Sequence, residues 1–354
     1  MSLLSRDIGR RLYGAVALVS VALLTLFGLF DLIDQLDGSK APSALQAMAM
    51  TGLLVPGHFY ELLPVATLIG GLVVMAQLAS SSEYTVIRTS GVSVGGMVRL
   101  LAVPALVIAL VGVLAGEWLA PQADRALRSL RLSGNGMVAQ QMRSGYWLKD
   151  GSSFVNLGGV TPDGVMATVT VYEFASDGGL RTLRRARAAT FDGEGHWLLQ
   201  TVETTEFGEG GVTVVQEASR RWATRLGPDI LRVMAVAPDR MSALELWPYL
   251  AHLRNNRQET GRHETALWAK LLYPLSVAAM LLLALSFARL QGRAGGVLFR
   301  VFAGILLGIG FHFLSRVGNN LGQLNAWPPL LGAGAATLVF VGLAVLLLRR
   351  VERV

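Results

Sequence analysis

The sequence predicts a polytopic α-helical membrane protein with six transmembrane helices and an inserted antiparallel β domain of the jelly-roll kind. Its 354 residues are 52% hydrophobic with a mean hydropathy of +0.48, which is too apolar for an ordinary soluble chain of this length. The apolar residues form long runs on both sides of one polar stretch, residues 116–270. Within that stretch, residues 146–224 are rich in Val, Thr, Tyr, Phe and Trp, as β-strands are.

The first apolar run, residues 12–30, is uncharged and follows a basic start that ends at Arg11. At about 1.5 Å per residue it reaches about 28 Å as a helix, close to the hydrocarbon thickness of a bilayer. A signal peptide also has a basic start and an apolar run. Here, however, three aspartates beginning at Asp31 stand where a small-residue cleavage site would lie. We therefore interpret this run as the first span.

Five more apolar runs are long enough to cross a membrane. They are residues 59–79, 97–115, 271–288, 295–314 and 327–348. Pro64 and Pro104 fall inside two of them, which is tolerated where neighbouring helices cover the backbone. With three spans on each side of the insertion, the predicted domains are 1–120, 121–265 with flanking helices, and 266–354.

The strand pattern is clearest in residues 165–174, where apolar and polar side chains alternate with a period of two. The apolar side carries Val165, Ala167, Val169 and Val171, and the other side carries Thr168 and Thr170. Residues that tolerate positive φ follow at 150–151, 176–179, 192–195 and 208–211, which predicts short turns between strands. Several strands joined by such turns indicate an antiparallel sheet or a jelly roll.

Basic residues of the short loops collect on one face of the predicted membrane domain. They are Arg6, Arg10, Arg11, Arg88, Arg99, Arg289, Arg293, Arg300, Arg349, Arg350 and Arg353. The opposite short loops hold only Lys40 and Arg316. Because cytoplasmic loops are enriched in Lys and Arg, both termini are predicted to be cytoplasmic and the β domain to lie on the outer side, which in a Gram-negative cell is the periplasm.

Composition and missing motifs exclude several functional classes. The net charge of +7 and pI of 10.1 suit loops that meet anionic headgroups, so we expect no nucleic-acid partner. Without cysteine there is no disulfide, thiolate metal site or Cys nucleophile. The sequence contains no G-x-x-x-x-G-K-[ST], H-E-x-x-H or G-x-S-x-G motif. We therefore expect a non-catalytic chain without a metal or cofactor, whose energy comes from elsewhere.

The polar loop between the second and third predicted spans has the pattern of a short helix, residues 80–91. Ser80 and Glu83 have capping-box spacing, and Gly91 is a suitable stop. Such a helix is either a simple hairpin tip, which spacing alone favours, or the place where a permease contacts an ATPase. The residues proposed for such coupling are Ser82, Glu83, Tyr84 and Arg88.

Two sets of cations stand near the outer ends of predicted spans. Arg125, Arg128 and Arg131 are three residues apart, so a helix places them on one side, where they pair with phosphates or form a solvated basic face. His312 and Arg316 are four apart near the end of the fifth span. They either face a cavity or, as is favoured for Arg316, reach towards the interface.

At this point the sequence resembles a known family, the lipopolysaccharide-export permeases LptF/LptG, and looks closer to the G-type subunit. The resemblance covers nearly the whole chain. It rests on residues 30–36 (FDLIDQL), Ser82–Glu83, Ser90–Gly91, 116–122 (GEWLAPQ), 145–151 (GYWLKDG), 268–270 (WAK) and 274–276 (PLS).

The resemblance implies an exporter that extracts lipopolysaccharide from the inner membrane and passes it to a periplasmic β bridge. The implied partners are an F-type permease, a cytoplasmic ATPase dimer, β jelly-roll bridge proteins and lipopolysaccharide. The implied lipopolysaccharide contacts are Lys40, Arg125, Arg128, Arg131, His312 and Arg316. Family members often carry a base just after the first span, whereas this chain has Asp31, and Lys40 is the nearest base.

Three alternatives remain at this stage. The chain could be the F-type paralogue of the same transporter. A membrane-anchored periplasmic sensor or scaffold would need a cytoplasmic output domain, and the longest predicted cytoplasmic segment is a short loop. A membrane enzyme would need a nucleophile or a metal-ligand set, and the sequence shows neither.

Overall fold

The computed structural model of the chain describes residues 2–37, 42–135, 145–150, 153–160, 165–175, 178–192, 196–208, 211–224, 237–256, 258–289, 297–324 and 327–353. The chain divides into two compact units. The membrane unit comprises Met1–Leu127, Ser242–Leu244 and Gly261–Val354, and the β unit comprises Arg128–Met241 and Glu245–Thr260.

Helices lie in both units, with most of them in the membrane unit. In chain order they are α1 (Ser2–Leu36), α2 (Ala44–Ser80), α3 (Glu83–Thr89), α4 (Val94–Leu114), a π-helical segment (Ala115–Leu119), α5 (Ala120–Asn135), a 3₁₀ turn (Pro238–Arg240), α6 (Ala243–Asn255), α7 (Gly261–Ser286), a 3₁₀ turn (Phe287–Arg289), α8 (Val297–Leu324) and α9 (Pro329–Arg353). Within the described residues, six helical stretches are long and apolar enough to cross a membrane, which confirms the predicted spans.

Helix α2 is the centre of the membrane unit. Its buried side chains belong to one apolar cluster with α1, α4 and α7, and to a second with α7, α8 and α9. Two adjacent glycines allow this close packing: a Cβ on Gly70 would lie 2.9 Å from the backbone nitrogen of Val16, and one on Gly71 would lie 2.7 Å from Ala284 Cβ. Small residues at such points bring helix backbones together in membranes.

The β unit contains a six-stranded antiparallel sheet, as predicted. Its strands are β1 (Tyr146–Asp150), β2 (Ser153–Val160), β3 (Met166–Phe174), β4 (Leu180–Phe191), β5 (His196–Gly208) and β6 (Gly211–Ala223). Each described strand pairs with the next one along the chain, so the order is that of a meander. The predicted turns fall between consecutive strands. The inserted antiparallel domain is thus confirmed, and its closure into a jelly roll stays a prediction.

Among the described strands, alternation is interrupted by a left-handed threonine in β3 and by another in β5, Thr201 with φ 52°. In β3, Thr168 has a positive φ of 51°, which interrupts the regular pleat. Met166 is consequently buried together with Val169 and Val171, whereas Ala167, expected on that side, is only half-buried. The prediction for Ala167 was wrong because a left-handed residue turns the preceding side chains relative to the following ones.

An ion pair between neighbouring strands lies beside the apolar cluster of the sheet. Arg184 Nη2 donates to Glu173 Oε2 at 3.0 Å, and the Thr182 hydroxyl donates to the same oxygen at 2.6 Å. Burial by itself raises the pKa of Glu173, but the Thr182 hydrogen bond and the Arg184 charge outweigh it, so the pKa is lowered. The carboxylate is therefore held ionised between β3 and β4.

Candidate functional site

The predicted short helix exists as α3, but it begins later than the spacing indicated. Ser80 ends α2 and donates its hydroxyl to Gln77 O at 3.0 Å, so the predicted Ser80 capping box is wrong. The residue before α3 is Ser82, which has φ 62° and makes no side-chain cap. A capping box does occur at the other end of α2, where Ser43 and Gln46 cap each other.

Glu83 is an exposed carboxylate with partners inside the chain. Arg11 Nη1 on α1 lies 3.0 Å from Glu83 Oε2, and the Ser81 hydroxyl donates to Glu83 Oε1 at 2.9 Å. Arg11 also pairs with Asp7, one turn earlier on α1, at 3.0 Å. The Arg11 hydrogen bond, followed by that of Ser81, lowers the pKa of Glu83. Glu83 is therefore ionised at neutral pH and holds the start of α3 against α1.

The other two residues proposed for coupling face the protein. Tyr84 is buried and packs with Ile87 in the apolar cluster of α1, α2 and α4. Arg88 Nη1 donates to Val92 O at 2.7 Å, which closes the loop that leads into α4. Tyr84 and Arg88 thus position α3, and Glu83 is the member of the set with an exposed charge.

The three arginines predicted to share one side do lie on one helix, α5. Arg125 is exposed, and its Nε donates to Pro121 O at 3.2 Å, one turn back. Arg128 is half-buried. Arg131 belongs to the last turns of the helix, where its backbone is described. The three arginines therefore lie on one helix, and their contacts with lipid stay a prediction.

His312 and Arg316 lie one turn apart on α8, as predicted. His312 is half-buried, and its Nε2 has no hydrogen-bond partner among the described residues, whereas Arg316 is exposed. His312 therefore lies at the boundary between the buried and the exposed side of α8, and Arg316 lies on the exposed side. Lys40, the remaining predicted lipid contact, lies outside the described residues.

Sequence reasoning missed the most buried ion pair that the structure describes in the membrane unit. Lys270 Nζ on α7 lies 3.1 Å from Glu117 Oε1 in the π-helical segment, and the two side chains are only 8% and 18% exposed. The second carboxylate oxygen accepts the backbone N–H of Ala243, the first residue of α6, at 2.7 Å. One carboxylate therefore connects the π-helical segment with the start of α6, 126 residues further along the chain, and with α7.

Aromatic rings and glycines enclose this pair. Lys270 Nζ lies 5.0 Å from the ring centroid of Tyr60, and Tyr60 stacks on Tyr273 with centroids 4.3 Å apart. A Cβ on Gly116 would lie 2.4 Å from Tyr60, and one on Gly112 would lie 2.4 Å from the Tyr273 hydroxyl. The four-residue spacing of these glycines was the available signal, since small residues so spaced indicate close helix contacts.

Comparisons with known proteins agree along the whole chain. The family described as lipopolysaccharide export system permease LptF/LptG matches residues 6–350. The lipopolysaccharide export system permease protein LptG of Escherichia coli (strain K12) is 32% identical over 354 residues, covering 98% of each chain. The protein of that name from Haemophilus influenzae (strain ATCC 51907 / DSM 11121 / KW20 / Rd) is 30% identical over 358 residues, again covering 98% of each.

Proposed function

Because the chain belongs to the LptF/LptG family of lipopolysaccharide export permeases, we propose that it is the G-type permease subunit of an ATP-driven lipopolysaccharide exporter. The observation that carries this proposal is the extent of the match, which includes all six candidate spans and the inserted sheet. The relatives named LptG favour the G-type over the F-type subunit. The permease itself does not hydrolyse ATP, since its sequence has no P-loop.

The proposed assembly contains an F-type permease, a cytoplasmic ATPase dimer and periplasmic β bridge proteins. In this arrangement both termini and α3 are cytoplasmic, and the β unit is periplasmic. The arginine distribution of the short loops supports that orientation. The extracted lipid enters the transporter from the inner membrane and leaves towards the bridge.

We assign the ATPase contact to α3. Glu83 supports this role because it is ionised and exposed. Tyr84 fixes the helix by packing in the apolar cluster, and Arg88 fixes it by its hydrogen bond to Val92 O. A basic residue of the ATPase would compete with Arg11 for the Glu83 carboxylate. Ion pairs at exposed sites are weak because water screens them, so such an exchange costs little.

The lipopolysaccharide contacts are proposed on α5 and α8. The arginines of α5 can form charge-assisted hydrogen bonds to the phosphates of the lipid, each worth about 1.5 to 3 kcal/mol. Photocrosslinking from position 128 in the assembled transporter should capture lipopolysaccharide. A control crosslinker at Leu18, an exposed apolar residue of α1, reports contact with bulk lipid. Capture from both positions alike would contradict a specific site at Arg128.

The β unit is proposed to guide the acyl chains towards the bridge. Its sheet has an apolar cluster that includes Val155, Val171 and Trp197, and each methylene kept out of water is worth about 0.8 kcal/mol. Deletion of residues 146–224 should stop release to the bridge while the spans still assemble with the partner permease. Release at the normal rate would make the β unit a lid only.

The central experiment is reconstitution of the chain with an F-type permease and the ATPase in proteoliposomes that contain lipopolysaccharide. ATP should drive release of lipopolysaccharide to a soluble β bridge protein, and omission of either permease should abolish release. The absence of ATP-dependent release from a fully assembled complex would contradict the proposed function.

A charge swap separates the two roles of Glu83. Glu83→Arg removes both the internal pair and the acid offered to the ATPase. Glu83→Arg combined with Arg11→Glu restores the internal pair but leaves the reversed charge on α3. If α3 contacts the ATPase through Glu83, both variants assemble in the membrane and hydrolyse ATP without transport. Full transport in the swapped variant would show that Glu83 acts only through Arg11.

A further inference from the structure

We propose that Glu117 and Lys270 are positioning residues for transport: they form a latch that ties the return of the inserted chain at Ala243 to α7. This inference rests on the proposed function, because the readout is lipid release. Its observations are nevertheless independent of the predicted lipid and ATPase contacts. All three residues belong to the membrane unit.

The first observation is that the Glu117 carboxylate serves two partners at once. Oε1 pairs with Lys270 Nζ at 3.1 Å, and Oε2 accepts the Ala243 N–H at 2.7 Å. That N–H opens helix α6, so it has no partner within its own helix. The insertion leaves the membrane unit after Leu127, and the chain re-enters it at Ser242. Glu117, in the π-helical segment before the insertion, is therefore bonded both to Ala243, where the chain returns, and to Lys270 of α7.

The second observation is that the ammonium group of Lys270 has no donor left for a ligand. An ammonium has three N–H donors. One meets Glu117, one meets Gly116 O at 3.3 Å, and the remaining direction lies over the Tyr60 ring at 5.0 Å. With 8% of its side chain exposed, Lys270 is placed to hold protein parts together and not to receive a lipid phosphate.

The third observation is that the latch sits in a segment with unusual helix geometry. Residues Ala115–Leu119 form a π-helical turn, which is rare and is often found at functional sites. The Tyr273 hydroxyl donates to Tyr60 O at 3.0 Å, so α7 is also bonded to α2 at this level. Gly116 brings the π-turn directly against Tyr60 of α2, so the π-turn, α2 and α7 are in mutual contact beside the ion pair.

These contacts make α7 and the re-entry point move together. Tyr273, Val277 and Leu281 of α7 lie in the apolar cluster shared with α1, α2 and α4. A displacement of α7 during the ATP cycle would therefore be passed through Lys270 and Glu117 to Ala243. Without the latch, the same displacement would be lost between α7 and the chain that leads from the β unit.

The test neutralises both charges together in the full chain, assembled with the F-type permease and the ATPase. In Glu117→Gln/Lys270→Met the glutamine oxygen still accepts the Ala243 N–H, and no unpaired charge is left buried. We expect normal assembly and continued ATP hydrolysis. The lipopolysaccharide released per ATP should fall about fivefold or more, the size of a typical coupling between distant sites. Lys270→Arg with Glu117 intact should restore part of the release.

The matched control is Asp192→Asn/His196→Gln, which removes an acid and histidine pair 3.9 Å apart in the β unit while the asparagine oxygen can still accept the backbone N–H of residue 196. It should leave release unchanged. Normal release per ATP from the Glu117/Lys270 double variant would overturn the latch, and so would loss of assembly, which would show a folding role only. A wild-type complex that assembles but releases no lipid would contradict the proposed function instead, and the latch with it.

Discussion

Two of the acid–base pairs in the membrane unit have nearly the same length but differ in their exposure to water. The Arg11–Glu83 pair, at 3.0 Å, has side chains that are 37% and 42% exposed. The Lys270–Glu117 pair, at 3.1 Å, has side chains that are 8% and 18% exposed. Water screens the first pair and allows it to exchange partners, whereas each member of the second needs the other to remain charged. Burial, and not distance, therefore decides which ion pair can exchange partners and which one stays intact.

The largest expected effect is the loss of one member of the buried pair. Lys270→Met leaves the Glu117 carboxylate uncompensated, which should lower the free energy of unfolding by about 3 to 5 kcal/mol. Thermal unfolding of the detergent-solubilised protein measures this loss. The double variant with Glu117→Gln is the control and should recover most of it. Equal destabilisation of the single and double variants would contradict the argument.

The next effect tests the packing around the buried pair. Gly116→Ala places a methyl group 2.4 Å from the Tyr60 ring, and overpacking of this kind should cost about 1 to 3 kcal/mol. Gly57→Ala on α2 is the matched control, since nothing lies within 4 Å of the added atom. That control should stabilise the helix by up to about 1 kcal/mol. Similar unfolding temperatures for both variants would show that the π-turn adjusts freely.

A smaller effect concerns the Glu173–Arg184 pair, whose side chains are 30% and 16% exposed and thus lie between the two extremes. Because the folded pKa of Glu173 is below its ordinary value of 4.5, the pair stabilises the fold fully above that pH. The stabilisation is lost as the pH falls through the lowered folded pKa. Unfolding of wild type and Glu173→Gln should therefore converge in acid. A difference that persists unchanged below the folded pKa would contradict this assignment.

The smallest expected effect is the loss of the exposed pair. Arg11→Ala should change the unfolding free energy by about 0 to 1 kcal/mol, and the difference should shrink as salt is added. Transport assays can then be interpreted without a folding defect. A large, salt-independent loss of stability would place Arg11–Glu83 in the same class as the buried pair.

The sequence was sufficient for the architecture because spans and strands are local patterns. Each of the six apolar runs, and each strand bounded by turn residues, is recognisable within a window of about twenty residues. Local errors occurred where backbone geometry departs from the regular period, at Thr168 in β3 and at Ser82 before α3. A positive φ at threonine or serine has no compositional signal, since glycine is the residue expected there.

The candidate site was less predictable than the fold. The arginines of α5 and the cation pair of α8 follow from spacing along one helix. Glu117 and Lys270 belong to separate sequence motifs, and their pairing depends on how the π-helical segment packs against α7, which the sequence pattern does not reveal. The direction of Tyr84 was equally hidden, since a seven-residue helix shows too little periodicity to reveal its buried side.

The long separation within the buried pair also has a consequence for synthesis. Lys270 follows Gly116 by 154 residues, which the ribosome makes in about 8 to 30 s at about 5 to 20 residues per second. During that time each β strand can pair with its predecessor, since sheet order follows chain order. Glu117, by contrast, waits for both of its partners. The contacts that join the first three spans to α6 and α7 through Glu117 can therefore form only after all six described strands have been made.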